Sequence, residues 1–334
     1  MNKLLQILIP QYNETDEVVK PLLDSIALQQ GVDLNKVGVI IVNDGSDIKL
    51  SKELIESYPF EIIYHLNEHK GVSATRNKCL DLSTAEYVMF CDADDMFADV
   101  TGLWLIFDRI NFVNPETHIK GFDTFNSTFI EETKFNDQLL FIDHNQDSTF
   151  VHGKVHRRQY LIDQKIRWDD SLTIHEDSYF NILCQSLTTP QQVVYCARPF
   201  YLWKWREESV CRHDPLYLNK TYTNMLDSNT ALVKQFIKRG KFNEAVYFST
   251  MMFYDCYYTL NADRWWTDEG KQYVEKTENR IKAYYNEFKH LIDQCPKEMV
   301  AQLITGLKAR HTQEGVLFEK ETYDHWYKRL FNQQ

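Results

Sequence analysis

The chain has 334 residues, which at roughly 150 residues per domain suggests two domains. Hydrophobic residues make up 43% and charged residues 25%, the balance of a soluble globular protein with a substantial core, which excludes intrinsic disorder. The net charge of −11 is uneven: residues 1–214 hold 20 Lys and Arg against 33 Asp and Glu, or −13, and residues 215–334 hold 17 against 15, or +2; so acidic a front half excludes a general nucleic-acid binder, which needs a basic footprint.

In chain order, Leu4–Ile9 reads as a buried strand that stops at Pro10. Asp16–Gln30 carries Val18, Val19, Leu22, Leu23, Ile26 and Ala27 at helical spacing, with Pro21 inside it as a potential kink. Val37–Val42 is a second β-branched strand, stopped by Asn43-Asp44-Gly45-Ser46. A helix is expected over Leu50–Tyr58, a strand over Glu61–Leu66, a helix over Val72–Leu82 and a strand over Tyr87–Cys91, stopped by Asp92-Ala93-Asp94-Asp95. Such alternation predicts an α/β domain on a mainly parallel sheet covered on both faces. Further on, the pattern predicts helices over Asp99–Phe112, Arg157–Gln164 and Asp177–Leu187. Strands are expected over Ile119–Ile130, Gln138–Ile142 and Val193–Trp205. After about residue 215 the texture is helical, over Leu216–Arg239, Phe242–Leu260, Asp268–Cys295, Lys297–Ala309 and Lys320–Phe331. The expected domains are therefore 1–214, with halves of about 1–98 and 99–214, and an all-α 215–334.

No apolar run approaches the ~18 residues of a membrane span, and the apolar start meets Pro10 too early for a signal peptide. Seven cysteines without a CxxC pair favour a reducing, cytoplasmic compartment over a disulfide or zinc framework.

Three strands end in polar or acidic residues: Pro10-Gln11-Tyr12-Asn13-Glu14, Asn43 to Asp47, and Asp92 to Asp95. Ligands of parallel sheets gather at the carboxyl ends of the strands, where these loops converge. Three aspartates within four positions repel one another unless solvated or neutralised. Oxygen-only ligands suit Mg2+ or Mn2+ rather than zinc. The competing reading is a set of solvated turns, which Asp and Asn favour anyway.

The segments IPQYNE (9–14), VNDGS (42–46), GVSATRN (71–77) and CDADD (91–95), followed by HGKVHRRQYL (152–161), IRWDDSL (166–172), HEDSYF (175–180) and PFYLWKWREESV (199–210), resemble an inverting, non-processive family 2 glycosyltransferase with the GT-A fold. The resemblance spans about residues 4–210. It implies a nucleotide-sugar half, an acceptor half and a UDP-sugar donor. Pro10 and Tyr12 would cradle the uracil in a loop that includes Glu14, Asp44 would accept its N3–H, and Arg76 would support base or phosphates. Asp92-Ala93-Asp94 matches the DxD motif, in which Asp92 would contact the ribose or the metal and its water, Asp94 would ligate the cation, and Asp95 would share in either role. Asp177 matches the general base, with Glu176 second. His213 stands near where some relatives place a metal- or phosphate-contacting residue. Lys154, Arg157 and Arg158 form a basic patch that would either meet a diphosphate or cover an exposed helix face. Trp203 and Trp205 are read as a sugar platform or core.

The resemblance thus implies metal-dependent transfer of one hexose-type sugar to a hydroxyl of a surface, capsular or wall glycan. The QxxRW motif of processive synthases is absent, and Gln11 stands where the family usually has Thr or Ser. Two other classes stay open: a catalytically degenerate GT-A domain that binds nucleotide or glycan, and a sugar nucleotidyltransferase, although residues 9–17 lack the latter's Gly- and Arg-rich loop. The helical last third would pack on the catalytic domain or a second subunit, with a homo-oligomer as one outcome, or offer its Tyr and Trp residues to a glycan.

Overall fold

In the computed structural model the described residues are 3–331, except 137, 145–148, 208–213, 314–315 and 317–320. They fall into two compact units, Met1–Glu207 and Glu208–Gln334.

The first unit opens with β1 (Leu5–Gln11), α1 (Asp16–Ala27), β2 (Val37–Asp44), α2 (Lys52–Glu56), β3 (Glu61–Asn67), α3 (Val72–Leu82) and β4 (Tyr87–Phe90). β1, β2 and β4 are apolar along nearly their whole length because both faces of a parallel sheet are covered, and every residue of β2 and β4 is buried. β3, β2, β1 and β4 lie side by side and all parallel. α1 runs through Pro21 to Ala27 and presents Val19, Leu22, Leu23 and Ile26 to the core.

Then follow β5 (Met96–Phe97), α4 (Gly102–Asn111), β6 (Thr124–Phe135), β7 (Gln138–His144), β8 (Lys154–Arg157), α5 (Arg158–Asp163), α6 (Glu176–Leu187) and β9 (Val193–Trp203). The sheet continues from β4 to β8, β6, β9 and β5, with β7 hydrogen-bonded to β6. Apart from the parallel β6–β9 pair, the pairings in this half are antiparallel. The complete sheet is thus parallel where the nucleotide half was expected and mixed beyond it.

β8 has no counterpart among the predicted strands. Its Lys154 and His156 are polar, yet both are buried. Lys154 Nζ is tied to the Phe150 carbonyl, and burial, with the Lys154 charge beside it, pushes the His156 imidazole down to about 3.

The second unit is helical: α7 (Tyr217–Lys238), α8 (Phe242–Leu260), α9 (Val274–Ile292), α10 (Lys297–Gln313) and α11 (Tyr323–Phe331). α7, α8 and α9 pack on one another, α10 on α8 and α11 on α9. The aromatic residues of this unit mostly serve its own core: Phe253 touches Tyr285, Trp326 and Phe331, and Trp265 is buried against Tyr222. No helix among the described residues is long and apolar enough to cross a membrane.

Candidate functional site

Parallel pairing of β2, β1 and β4 brings their carboxyl ends to one edge. A cavity of about 250 Å³ opens there, lined by Pro10 near the end of β1, Tyr12 and Glu14 after it, Asp44 at the end of β2, His69 and Gly71 before α3, and Asp92, Ala93 and Asp94 after β4. Four segments far apart in the sequence thus form a single polar pocket.

Asp44 is buried and holds the loop that leads into α3. Its two carboxylate oxygens accept the N–H groups of Lys70 at 2.8 Å and Gly71 at 2.9 Å, and His69 Nδ1 lies 3.0 Å away. The chain can pass this close because residue 45 is glycine. Its φ is +68°, and a Cβ there would lie 2.4 Å from the His69 nitrogen. The fixed His69 ring stacks on Tyr12, centroids 4.6 Å apart and planes 28° from parallel. Tyr12 is 48% exposed and forms an aromatic wall of the cavity. Glu14 accepts the Tyr12 N–H at 2.5 Å, and burial raises its carboxyl above the usual range.

Deeper in the unit, Arg76 on α3 is buried and joins three carboxylates. Nη1 donates to Glu176 Oε1 at 2.9 Å and to Asp177 Oδ1 at 2.8 Å, and Nη2 donates to Asp92 Oδ1 at 2.9 Å. Trp168 lies against the guanidinium, 4.4 Å from its centre, an arrangement that suits a planar cation. Burial works against the Arg76 charge, and Asp177, Asp92 and Glu176 more than offset it. Asn77 fixes Trp168 in turn: its Nδ2 donates to the Trp168 carbonyl at 2.9 Å and its Oδ1 accepts the Trp168 N–H at 3.0 Å. Arg76 is not among the residues lining the cavity; its guanidinium is engaged by the carboxylates behind it.

Glu176 and Asp177 open α6, and the residue before them, His175, holds a left-handed φ of +64°, a conformation that a non-glycine residue keeps only when its surroundings enforce it. Asp177 Oδ2 accepts the Val151 N–H at 3.1 Å. Burial, and then the negative charges of Glu176 and Asp92, push the Asp177 carboxyl up to about 7 against the opposing pull of Arg76. Three carboxylates around one cation leave an excess of negative charge, and a proton shared near neutrality relieves it.

The aspartates of the β4 loop take different partners. Asp94 lines the cavity and pairs with Arg206 Nη1 at 2.7 Å. Asp95 is buried: Tyr201 Oη donates to it at 2.6 Å and the Lys204 N–H at 2.9 Å. Burial and the neighbouring Asp94 and Asp92 raise its carboxyl well above the usual range. Ligating atoms of Asp92, Asp95 and His152 lie within 4.8 Å of one another. Asp92 and Asp94 fit a hard divalent cation: both are part-exposed carboxylates facing one cavity, each with one oxygen on an arginine, Arg76 and Arg206 respectively. Asp95 fits less well, because both of its oxygens are engaged by Tyr201 and Lys204. His213 lies outside the described residues.

Pro10, Tyr12, Glu14, Asp44, Asp92, Ala93 and Asp94 therefore share the cavity, while Glu176 and Asp177 are tied to it through Arg76 and Asp92. The basic patch does not assemble. Lys154 is buried on β8, Arg157 lies 3.4 Å from Asp123, and Arg158 donates to Ser83. Trp203 packs on His152 and Phe150. Sequence reasoning missed His69, Trp168 and Arg206. His69 sits in a segment without a motif of its own, Arg206 lies in the PFYLWKWREESV segment without any sign that it would pair with Asp94, and Trp168 lies in the IRWDDSL segment without any sign of its cation.

The pattern of the family described as Glycosyl transferase family 2 matches residues 6–154. An uncharacterized glycosyltransferase, YibD of Escherichia coli, is 34% identical over 94 residues, 27% of this chain and 26% of that one. The minor teichoic acid biosynthesis protein GgaB of Bacillus subtilis is 31% identical over 98 residues, 28% of this chain and 11% of that one. The matches thus span about a quarter or less of these relatives' own length. In three dimensions, S. aureus TarS 1–349 in complex with UDP-GlcNAc aligns with a TM-score of 0.59 at 15% identity, over 94% of this chain and 92% of that one, a likeness of fold.

Proposed function

From a chain that carries a family 2 glycosyltransferase domain on a GT-A fold, we propose an inverting glycosyltransferase that moves one sugar from a UDP-sugar to an acceptor hydroxyl. The observation that carries this reading is the Arg76 clamp, which holds the cavity carboxylate Asp92 and the raised carboxylate Asp177 on one guanidinium.

In this reading Tyr12 and His69 receive the uracil, and Asp44, fixed by the 69–71 loop, accepts its N3–H. Asp94 and Asp92 would hold a divalent cation, Mn2+ or Mg2+, which would supply Lewis-acid stabilisation of the charge developing on the leaving diphosphate. Asp177 takes the acceptor hydroxyl's proton as that oxygen attacks the anomeric carbon. The bond from the anomeric carbon to the diphosphate oxygen breaks on the opposite face, and UDP departs with the electron pair. Arg76, which also pairs with Glu176, keeps the Asp177 carboxylate turned toward the β4 loop. The match to GgaB supports an acceptor among cell-surface polymers, and the thiols of the described cysteines, all unbridged, support a cytoplasmic site of action.

Calorimetric titration of UDP with and without Mn2+, followed by a UDP-release screen over UDP-sugars beginning with UDP-GlcNAc, tests the proposal. Metal-dependent binding with release from one sugar supports it. Absence of UDP binding under both conditions returns the site to a binding-module or GDP- or CDP-sugar reading.

A further inference from the structure

Strand β7 carries its apolar side chains into solvent. Leu139, Leu140, Phe141 and Ile142 are 52, 45, 64 and 45% exposed, and Phe135 across the turn is 65% exposed. Successive strand residues point to opposite faces, so Leu139 and Phe141 crowd one side of the ribbon and Leu140 and Ile142 the other. β7 pairs with β6 in unbroken register from Gln138 to His144, and its opposite edge has no strand beside it among the described residues. Natural sheets guard such edges with charge, proline, a bulge or brevity. Between Gln138 and Ile142 this edge has none of them.

We propose that β7 is the dimer contact of this protein: two copies join their β7 strands antiparallel about a two-fold axis at Phe141, giving one continuous sheet. An antiparallel edge is complementary to itself, which is what a closed two-fold contact requires. Phe141 is the middle residue of the seven-residue strand. An axis there sets Phe141 opposite its own copy, Leu140 opposite Ile142, Gln138 opposite His144 and Leu139 opposite Asp143, so no acid faces an acid. Phe135 ends β6, on the side of β7 away from this seam, and an edge-to-edge pair leaves both faces of the ribbon open, so the contact rests on main-chain pairing and on the Phe141–Phe141 and Leu140–Ile142 cross-strand pairs rather than on buried area.

The surrounding charge disfavours an anionic membrane or a nucleic acid as the occupant. Glu131, Glu132 and Asp143 flank the patch, in a half of the chain that is net acidic. The hairpin also borders the candidate site: β6 pairs with β9 at Ile130–Leu202 and Glu131–Trp203, and Glu132 accepts the Trp205 N–H at 3.1 Å. Dimerisation would brace the segment that carries Arg206. The inference does not depend on which reaction the site performs.

Sedimentation velocity of the full chain across a wide range of concentration is the first test, with a dimer expected. Leu140→Lys combined with Ile142→Lys, and separately Phe141→Lys, should weaken the dimer at least ~100-fold by removing apolar cross-strand pairs and setting like charges opposite one another, with the native circular dichroism retained. Register is read by cross-linking. Directly opposed antiparallel residues lie about 4.5–5.5 Å apart at Cα, within disulfide reach, so Phe141→Cys should give a covalent dimer on oxidation. Leu139→Cys should not, because its two copies would be separated by roughly 14 Å. A wild-type chain that stays monomeric, a dimer untouched by the lysine variants, or a monomer that binds neutral phosphatidylcholine vesicles through β7 would each overturn the proposal.

Discussion

Arg76 and Asp177 are 101 residues apart in sequence and 2.8 Å apart in space. Through that contact the helix after β3 and the helix that begins at Glu176 share one charge network with the β4 loop. A buried guanidinium facing three carboxylates is costly to remove, because the acids left behind lose the counter-charge they share. Arg76→Ala should destabilise the protein by about 3–5 kcal/mol, read from denaturant unfolding. Arg76→Lys should recover part of that stability, and because an ammonium lacks the planar fork, it should leave turnover depressed.

The raised Asp177 carboxyl sets the direction of the pH dependence. A general base works in its ionised form, so turnover should rise as pH increases through about 7 and level off above it. Asp177→Asn should abolish that rise and lower turnover by roughly 10²–10⁴-fold, while UDP affinity is retained. Loss of UDP binding in this variant would contradict its assignment as base.

Asp94→Asn should remove the metal-dependent part of UDP affinity, measured as the difference between titrations with Mn2+ and with EDTA. Asp95→Ala should behave differently. It leaves the Lys204 N–H and the Tyr201 hydroxyl without their acceptor, so it should cost about 1–3 kcal/mol of stability. The two neighbours are thereby separable, one by affinity and the other by unfolding.

Tyr12→Ala removes an exposed ring that packs only on His69 among the described rings. Stability should hardly change. UDP should bind roughly tenfold more weakly or worse, the scale of about 1–3 kcal/mol seen when an aromatic stacking partner of a base is removed.

Gly45→Ala tests the pocket's backbone. The added Cβ meets the His69 nitrogen at 2.4 Å in a left-handed conformation, so the 69–71 loop must shift. A stability loss above ~1 kcal/mol and weaker UDP binding should appear together, since the same loop carries the partners of Asp44.

Much of the first unit was legible in the sequence because buried parallel strands announce themselves. LQILIPQ, VGVIIVND and YVMF are apolar runs closed by polar residues, and the helix predicted at Val72–Leu82 is the helix observed. Their strand-end loops supplied the cavity residues, since parallel topology alone dictates which ends meet. Short or polar strands left no such trace. β5 has two residues, and β8 hides Lys154 and His156 in the interior, where a carbonyl partner and a suppressed imidazole charge replace apolar character.

What the amino-acid order determined by itself was the set of chemical groups and the edge of the sheet on which they gather. Only the tertiary structure decided how those groups pair. That Arg76 faces acids, that Asp94 and Asp95 divide into a cavity group and a buried one, and that Asp177 sits close enough to other carboxylates to be raised are facts of distance and burial. Coulomb and desolvation energies depend on separations of a few ångströms and on the surrounding medium, and neither is written in the spacing of residues along the chain. The exposed face of β7 is the same lesson in reverse: LLFI reads as strand, and only the sheet order and burial reveal that no strand among the described residues lies beside it and that its side chains are left exposed.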